Sequence, residues 1–291
     1  MAHAYSDYKT GYEKLLKSYK VKPNWVSIID NAANRIFKHR DKYKKIEDEI
    51  GVPWTFVAVI HNLESGSDFS THLHNGDPLT ARTKLVPRGY PKTGKPPFTW
   101  EESAVDALKL KGFHKEIDWS DAKVCYNLEM YNGFGYRPFG INSPYLWSGT
   151  TVYSRGKYVA DGVWSSTAVS QQLGAIPLYK KLKELDAQKE KEEAKERKQL
   201  LKENSRSYQA LATIKSFYKW ATAGIASIPV MDYLGFFQNF LSSWGGPLLA
   251  IGGILLVGWV VTQYIMSRKE EEFKDGRYTP SGIKDDPAAT E

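Results

Sequence analysis

The sequence is almost without cysteine: Cys125 is the only one among 291 residues. A lone cysteine cannot form an intramolecular disulfide, and it cannot build a zinc site from cysteine ligands. We therefore expect Cys125 to act as a small hydrophobic core residue.

The sequence also lacks a secretion signal and a concentrated basic stripe. The first twenty residues are polar and charged, without the apolar stretch of a standard secretion signal, so none is expected. The net charge is +7, yet Lys and Arg do not gather into one stripe with interleaved aromatic residues. A basic surface attracts nucleic acid, anionic lipid or anionic wall polymers, and this scattered pattern predicts no nucleic-acid partner.

Helical patterns dominate the first 180 residues, and the predicted fold class is mainly α with a small β-hairpin. Apolar positions recur at helical spacing before Gly51, and an apolar segment follows Pro53. Thr99 with Glu102 fits a capping box, and Ser120 is a candidate N-cap. The alternating stretch 150–162 predicts the hairpin, with Arg155-Gly156 at its middle.

The rest of the chain changes character. We expect a charged helical spacer over 181–207, an amphipathic membrane-proximal segment over 208–245, and a polar tail over 268–291. Residues 246–267 are uncharged over a length that spans a bilayer, which predicts a transmembrane helix contacting lipid.

The stretch 56–83 carries the candidate chemistry. Glu64 ends the apolar segment and precedes a polar loop, so its apolar surroundings are expected to raise its pKa and allow it to donate a proton. A plain helix-end glutamate is the alternative. Loop residues His74, Asn75 and Asp77 are candidates for positioning substrate or water, or simple turn residues. The histidines lack a specific metal-ligand spacing, so no metal and no cofactor is predicted.

Several of these strings resemble a known family. "HNLESGSDFSTHLHNGDPLTART", "PPFTWEESAVDALKL" and the later "YNGFGYR" look like the lysozyme-fold muramidases and lytic transglycosylases of the goose-type lysozyme kind, and like phage and bacterial lysozyme family proteins. The resemblance covers roughly residues 20–180. It implies a lysozyme-like helical domain over 1–180 that cleaves peptidoglycan glycan strands.

The resemblance also implies roles for individual residues. Glu64, followed by Ser65, matches the family's acid, and Tyr131, Asn132 and Gly133 match its positioning and substrate-binding segment. The family's usual Gly-x-Met-Gln loop after Glu-Ser is absent. A hydrolytic, inverting reaction requires a second carboxylate, for which Asp77 is the first candidate and Asp68 the second. A transglycosylase requires none, and both mechanisms stay open.

Three aromatic residues are candidates for stacking on sugar rings, with core packing as the alternative: Tyr153, Tyr158 and Trp164. The predicted function is a membrane-anchored, phage-associated muramidase or lytic transglycosylase, in a virion or the host inner membrane, acting in the periplasm with virion or holin partners. Two alternatives are an inactive lysozyme-fold protein that binds or tethers glycans, and a holin-like membrane protein.

Overall fold

The computed structural model describes residues 3–115, 117–204, 209, 211–216 and 245–275, without side-chain detail at residues 202, 204, 245–257 and 259. The chain divides into two compact units, Met1–Ala187 and Gln188–Glu291. The boundary falls inside one long helix, seven residues beyond the predicted domain end at residue 180.

The described residues are mostly helical, with one small sheet. The helices are α1 (Tyr5–Ser18), α2 (Pro23–Phe37), α3 (Arg40–Ile50), α4 (Trp54–Ser65), α5 (Trp100–Leu110), α6 (Asp121–Asn132), α7 (Pro144–Trp147), α8 (Ala175–Asn204) and α9 (Gly245–Lys274). Strands β1 (Lys157–Ala160) and β2 (Val163–Ser165) form an antiparallel pair. A 3₁₀ turn over Arg137–Phe139 follows α6.

Helix α4 lies at the centre of the first unit. Every residue from Trp54 to His61 is buried, α3 packs beside this helix, and α5 packs against α3. A helix that is apolar around its whole circumference can only be stabilised inside a core. Its last turn reaches the surface, which brings Glu64 from the core to solvent.

Local signals at helix ends have mixed outcomes. The capping box is confirmed: the Thr99 side chain accepts from the Glu102 backbone N–H, and the Glu102 carboxylate accepts from the Thr99 backbone N–H. Gly51 ends α3 in the left-handed conformation, as expected of a glycine stop. Ser120 precedes α6, but its side chain makes no capping hydrogen bond. Its hydroxyl donates to Asp118 instead.

The hairpin is present, but its predicted centre was wrong. Ala160 pairs with Val163, so the two-residue turn is Asp161-Gly162, not Arg155-Gly156. Asp-Gly is a favoured pair for a two-residue hairpin because its glycine adopts positive φ easily, and φ of Gly162 is +66°. Gly156 has a different role: a Cβ there would come within 2.9 Å of Ile141 and 3.0 Å of Trp164.

The prediction of a transmembrane helix over 246–267 is wrong. Within the residues that the structure describes, no helix is long and apolar enough to cross a membrane. The described side chains of α9 after Gly258 mix apolar residues with polar ones, and the polar ones have partners. Thr262 donates to the Gly258 carbonyl, Gln263 accepts from Lys215, and charged residues begin at Arg268.

The predictions of a single-pass membrane localisation and of lipid contact through residues 246–267 depended on that helix and are withdrawn with it. Residues 181–204 of the expected helical spacer form part of α8, and α9 extends into the expected polar tail. Met266 of α9 packs against Leu201 of α8. The predicted amphipathic segment 208–245 lies outside the described residues except for 209, 211–216 and 245, and so does the tail beyond residue 275.

Candidate active site

Glu64 occupies the last turn of α4, and the helix ends directly after it. Gly66 adopts the left-handed conformation, its N–H donates to the Asn62 carbonyl, and the Ser67 N–H donates to the His61 carbonyl. This is a common way to satisfy the last carbonyls of a helix. The Ser65 hydroxyl also donates to the His61 carbonyl, at 3.1 Å, so the predicted substrate-binding Ser65 has a partner within its own helix.

Tyr145 holds the Glu64 carboxyl group. Its hydroxyl donates to Glu64 Oε1 at 3.0 Å, across 81 residues of sequence. Tyr145 belongs to α7, in which all four residues are buried. Because the ring is fixed in the core, the hydroxyl meets the carboxyl from a defined direction. In the described part of the chain, Glu64 Oε2 has no hydrogen-bond partner.

Tyr131 and Lys111 complete the surroundings of Glu64. Burial raises the pKa of Tyr131, and the negative charge of Glu64 raises it further. The Tyr131 hydroxyl lies 3.5 Å from the Leu73 carbonyl, at the limit of a hydrogen bond. Lys111 Nζ lies 5.1 Å from the centre of the Tyr131 ring, and its positive charge acts on Glu64.

The Glu64 side chain is reachable from solvent, yet its carboxyl group is partly desolvated. The side chain is exposed to solvent, while the protein around its carboxyl group displaces enough water to raise its pKa. The hydrogen bond from Tyr145 and the charge of Lys111 oppose this rise without cancelling it. A reachable carboxyl group with a raised pKa keeps its proton to a higher pH than an ordinary glutamic acid, which favours proton donation.

The string "YNGFGYR" forms the end of α6 and the turn after it. Arg137 returns to Glu129 on α6, with Nε 2.7 Å from Oε1 and Nη2 2.5 Å from Oε2. Tyr12 of α1 donates to the same buried carboxylate at 2.6 Å. This ion pair fixes the turn that carries two predicted substrate-binding residues: Asn132, which is exposed, and Gly133, whose Cα faces open space.

Asp77, the predicted second catalytic group, is engaged in its own loop. Its Oδ2 accepts from the backbone N–H groups of Lys84 and Leu85, at 2.7 and 3.1 Å, and from Asn75 Nδ2 at 3.0 Å. These hydrogen bonds lower the pKa of Asp77. The predicted substrate-binding residue Asn75 is likewise occupied, since its Oδ1 accepts from the Asp77 N–H. Asp68 accepts from Ser70 in a similar local turn.

The histidines of this region have structural partners. The side chain of His74 is fully buried, and its Nε2 lies 2.8 Å from Asp106 Oδ1 on α5. His72 contacts Ser103 and the Ala81 carbonyl, and together these bonds fasten the loop to α5. Buried His61 lies 3.0 Å from the Tyr43 hydroxyl. The described residues contain no group of three or more His, Cys, Asp or Glu arranged to hold a metal.

The three predicted stacking aromatics divide into two kinds. Tyr153 is buried, donates to the Gly156 carbonyl and accepts from the Ser170 N–H. Tyr158 and Trp164 face each other across the hairpin and are only partly buried. Phe139, which the sequence did not single out, stacks on Trp164 with ring centroids 3.9 Å apart. A sugar ring can reach this hairpin cluster, but not Tyr153.

A cavity of about 280 Å³ lies elsewhere in the first unit, lined by residues of α2 and the start of α8. None of the predicted site residues lines it.

Comparison with known proteins gives no match. No family model, no curated protein and no solved structure matches the chain. The lysozyme-like identity of the first unit therefore stays a prediction, which depends on the sequence strings and on the geometry around Glu64.

Sequence reasoning missed Tyr145 and Lys111. Tyr145 sits in a short apolar string, "PYLW", whose pattern indicates packing, and only the folded chain brings it to Glu64. Lys111 directly follows α5 and looks like an ordinary basic residue at a helix end. No local pattern connects either residue to Glu64.

Proposed function

We propose that the first unit is a glycosidase that cleaves the glycan strands of peptidoglycan, with Glu64 as its general acid. One observation carries the proposal. An exposed carboxyl group with a raised pKa is held through one oxygen by a buried tyrosine, at the point where an apolar helix reaches the surface. The resemblance to goose-type lysozymes and lytic transglycosylases supports the choice of substrate.

The chemistry follows from the free oxygen of Glu64. Its proton moves to the glycosidic oxygen, the bond between that oxygen and the anomeric carbon breaks, and the leaving sugar departs with a hydroxyl group. The resulting carboxylate then accepts a proton from the attacking group. That group is water in a hydrolase, or the 6-hydroxyl of the same muramoyl sugar in a transglycosylase.

Tyr145 has a positioning role in this scheme. Its hydrogen bond restrains the rotation of the Glu64 carboxyl group, which keeps Oε2 directed at the substrate. The same hydrogen bond favours the charged form that exists after proton donation. Lys111 acts in the same direction through its positive charge.

Asp77 fits the scheme less well as a base. A carboxylate that accepts two backbone N–H groups and a side-chain amide is a poor proton acceptor, because its pKa is lowered. We therefore favour a mechanism in which Glu64 is the only catalytic carboxylate. The partly exposed pair Tyr158 and Trp164 is proposed to stack against sugar rings of the strand.

The proposal is tested with the full-length chain and dye-labelled peptidoglycan. We expect Glu64→Gln, which preserves shape and hydrogen bonding but cannot donate the proton, to lose at least a hundredfold in rate of dye release. Glu49→Gln is the matched control, since Glu49 lies on the surface of α3 and, among the described residues, forms an ion pair with Lys109 alone. Equal release by wild type and Glu64→Gln would reject the acid role. Binding without release by any variant would favour the inactive glycan-binding protein.

A further inference from the structure

The loop between residues 78 and 99 exposes two aliphatic side chains at its tip. Leu85 is 63% exposed and Val86 is 89% exposed. Val86 is the most exposed large apolar side chain in the described part of the chain. Single exposed apolar residues need no explanation, but two neighbours at the tip of a loop form a small apolar surface.

The base of the loop holds this tip in place. Asp77 accepts from the backbone N–H groups of Lys84 and Leu85, as described above. The Thr83 hydroxyl donates to the Pro87 carbonyl at 2.5 Å and accepts from the Tyr90 N–H at 2.9 Å. The Gly89 N–H donates to the Thr83 carbonyl at 2.8 Å. Because the backbone is fastened on both sides, the aliphatic side chains are presented outward at little cost in conformational entropy.

The loop is strongly basic. Residues 78–99 contain no Asp or Glu and five basic residues, which are Arg82, Lys84, Arg88, Lys92 and Lys95. None of the five takes part in an ion pair among the described residues. Lys92 lies over the Tyr90 ring, and Arg82 donates to the Gly94 carbonyl. Lys84 and Arg88 therefore flank the apolar tip, while the Asp77 carboxylate at the base of the loop is bonded to backbone N–H groups.

We propose that this loop is a docking surface for an anionic lipid bilayer, in which Leu85 and Val86 enter the interface while the surrounding basic residues contact lipid phosphates. A basic rim around an apolar tip matches the two layers of a membrane surface, anionic headgroups above and acyl chains below. An anionic polymer would be bound by the basic residues alone and would gain nothing from the aliphatic tip. The proposal concerns peripheral contact by the first unit and does not depend on the proposed glycosidase activity.

The test measures sedimentation of the full-length protein with vesicles of phosphatidylcholine, with and without phosphatidylglycerol. We expect binding to the anionic vesicles, and a loss of roughly tenfold or more in affinity for Leu85→Asn/Val86→Asn, since each buried aliphatic side chain contributes on the order of 1.5 kcal/mol or more. The matched control is Val159→Asn/Val163→Asn on the hairpin, where the two valines are 53% and 52% exposed. We expect the control to bind like wild type.

Two further measurements separate the outcomes. Lys84→Gln/Arg88→Gln is expected to weaken binding to anionic vesicles by tenfold or more, from about 1 kcal/mol per charge. Val86→Trp is expected to show a blue shift in tryptophan fluorescence when anionic vesicles are added. No binding by wild type, or unchanged binding by the tip variant, would overturn the proposal. Loss in the charge variant alone, without the blue shift, would overturn the entry of Leu85 and Val86 into the bilayer.

Discussion

Replacing Arg137 by Met should destabilise the first unit by about 3 kcal/mol, the low end of the range for breaking a buried ion pair. Glu129 is only 2% exposed, and two of its three hydrogen-bond donors come from the guanidinium group. The substitution leaves the carboxylate in the core with Tyr12 as its one remaining partner. Since the Arg137 side chain is itself 31% exposed, water can reach the gap and limit the loss.

The assay is unfolding by heat and by urea, followed through circular dichroism and tryptophan fluorescence. For a unit of this size, 1 kcal/mol corresponds to roughly 2–4 °C in Tm, so Arg137→Met should melt roughly 6–12 °C below wild type. Arg155→Met is the matched control: Arg155 is exposed and has no described ion pair, and its replacement should change little.

A double variant separates the ion pair from general packing damage. Glu129→Gln/Arg137→Met removes both charges, so it should cost less than the sum of the two single changes. A loss below about 1 kcal/mol for Arg137→Met, or additive losses in the double variant, would refute the claim that this ion pair stabilises the turn after α6.

Three other predictions concern the site and its frame. Tyr145→Phe removes a hydrogen-bond donor that favours the charged form of Glu64, so the pKa of Glu64 should rise further and the alkaline limb of the pH–rate profile should move to higher pH. The variant should also lose several-fold in kcat, with KM little changed. An alkaline limb that does not move would contradict the positioning role of Tyr145. Gly174→Ala should lower the free energy of unfolding of the first unit by about 1–3 kcal/mol, because the new Cβ would lie 2.5 Å from the Ser148 carbonyl oxygen. Gly11→Ala is the matched control in α1, where a Cβ meets no other atom, and it should raise that free energy by up to about 1 kcal/mol in urea unfolding. Asp77→Ala should free residues 84 and 85 and speed their amide hydrogen exchange, while peptidoglycan release persists; complete loss of release in a folded variant would restore Asp77 as a catalytic group.

Local sequence patterns predicted those parts of the fold that depend on local physics. The Thr99–Glu102 capping box and the glycine stop at Gly51 involve residues a few positions apart, and each has the expected geometry. The position of the hairpin turn was harder to predict from the sequence. Arg155-Gly156 and Asp161-Gly162 both offered a glycine, and the strand register chose the second.

Long-range contacts were beyond reach of the sequence. Tyr145 and Glu64 are far apart in the chain, and the partner of His74 is Asp106 on α5, which only the folded chain brings to the loop. The predicted span over 246–267 shows a different limit. An uncharged run gives hydropathy alone, and it does not show how the end of the helix pairs with Lys215 and Leu201.

The most direct test of the central claim is mass spectrometry of the soluble fragments that full-length wild type and Glu64→Gln release from peptidoglycan. We expect wild type to release disaccharide-peptide fragments, and Glu64→Gln to release none above background. A reducing muramoyl end would identify a hydrolase, and an anhydromuramoyl end would identify a transglycosylase. The same fragments in the same amounts from both proteins, or none from either, would contradict the assignment of Glu64 as the general acid of a peptidoglycan-cleaving enzyme.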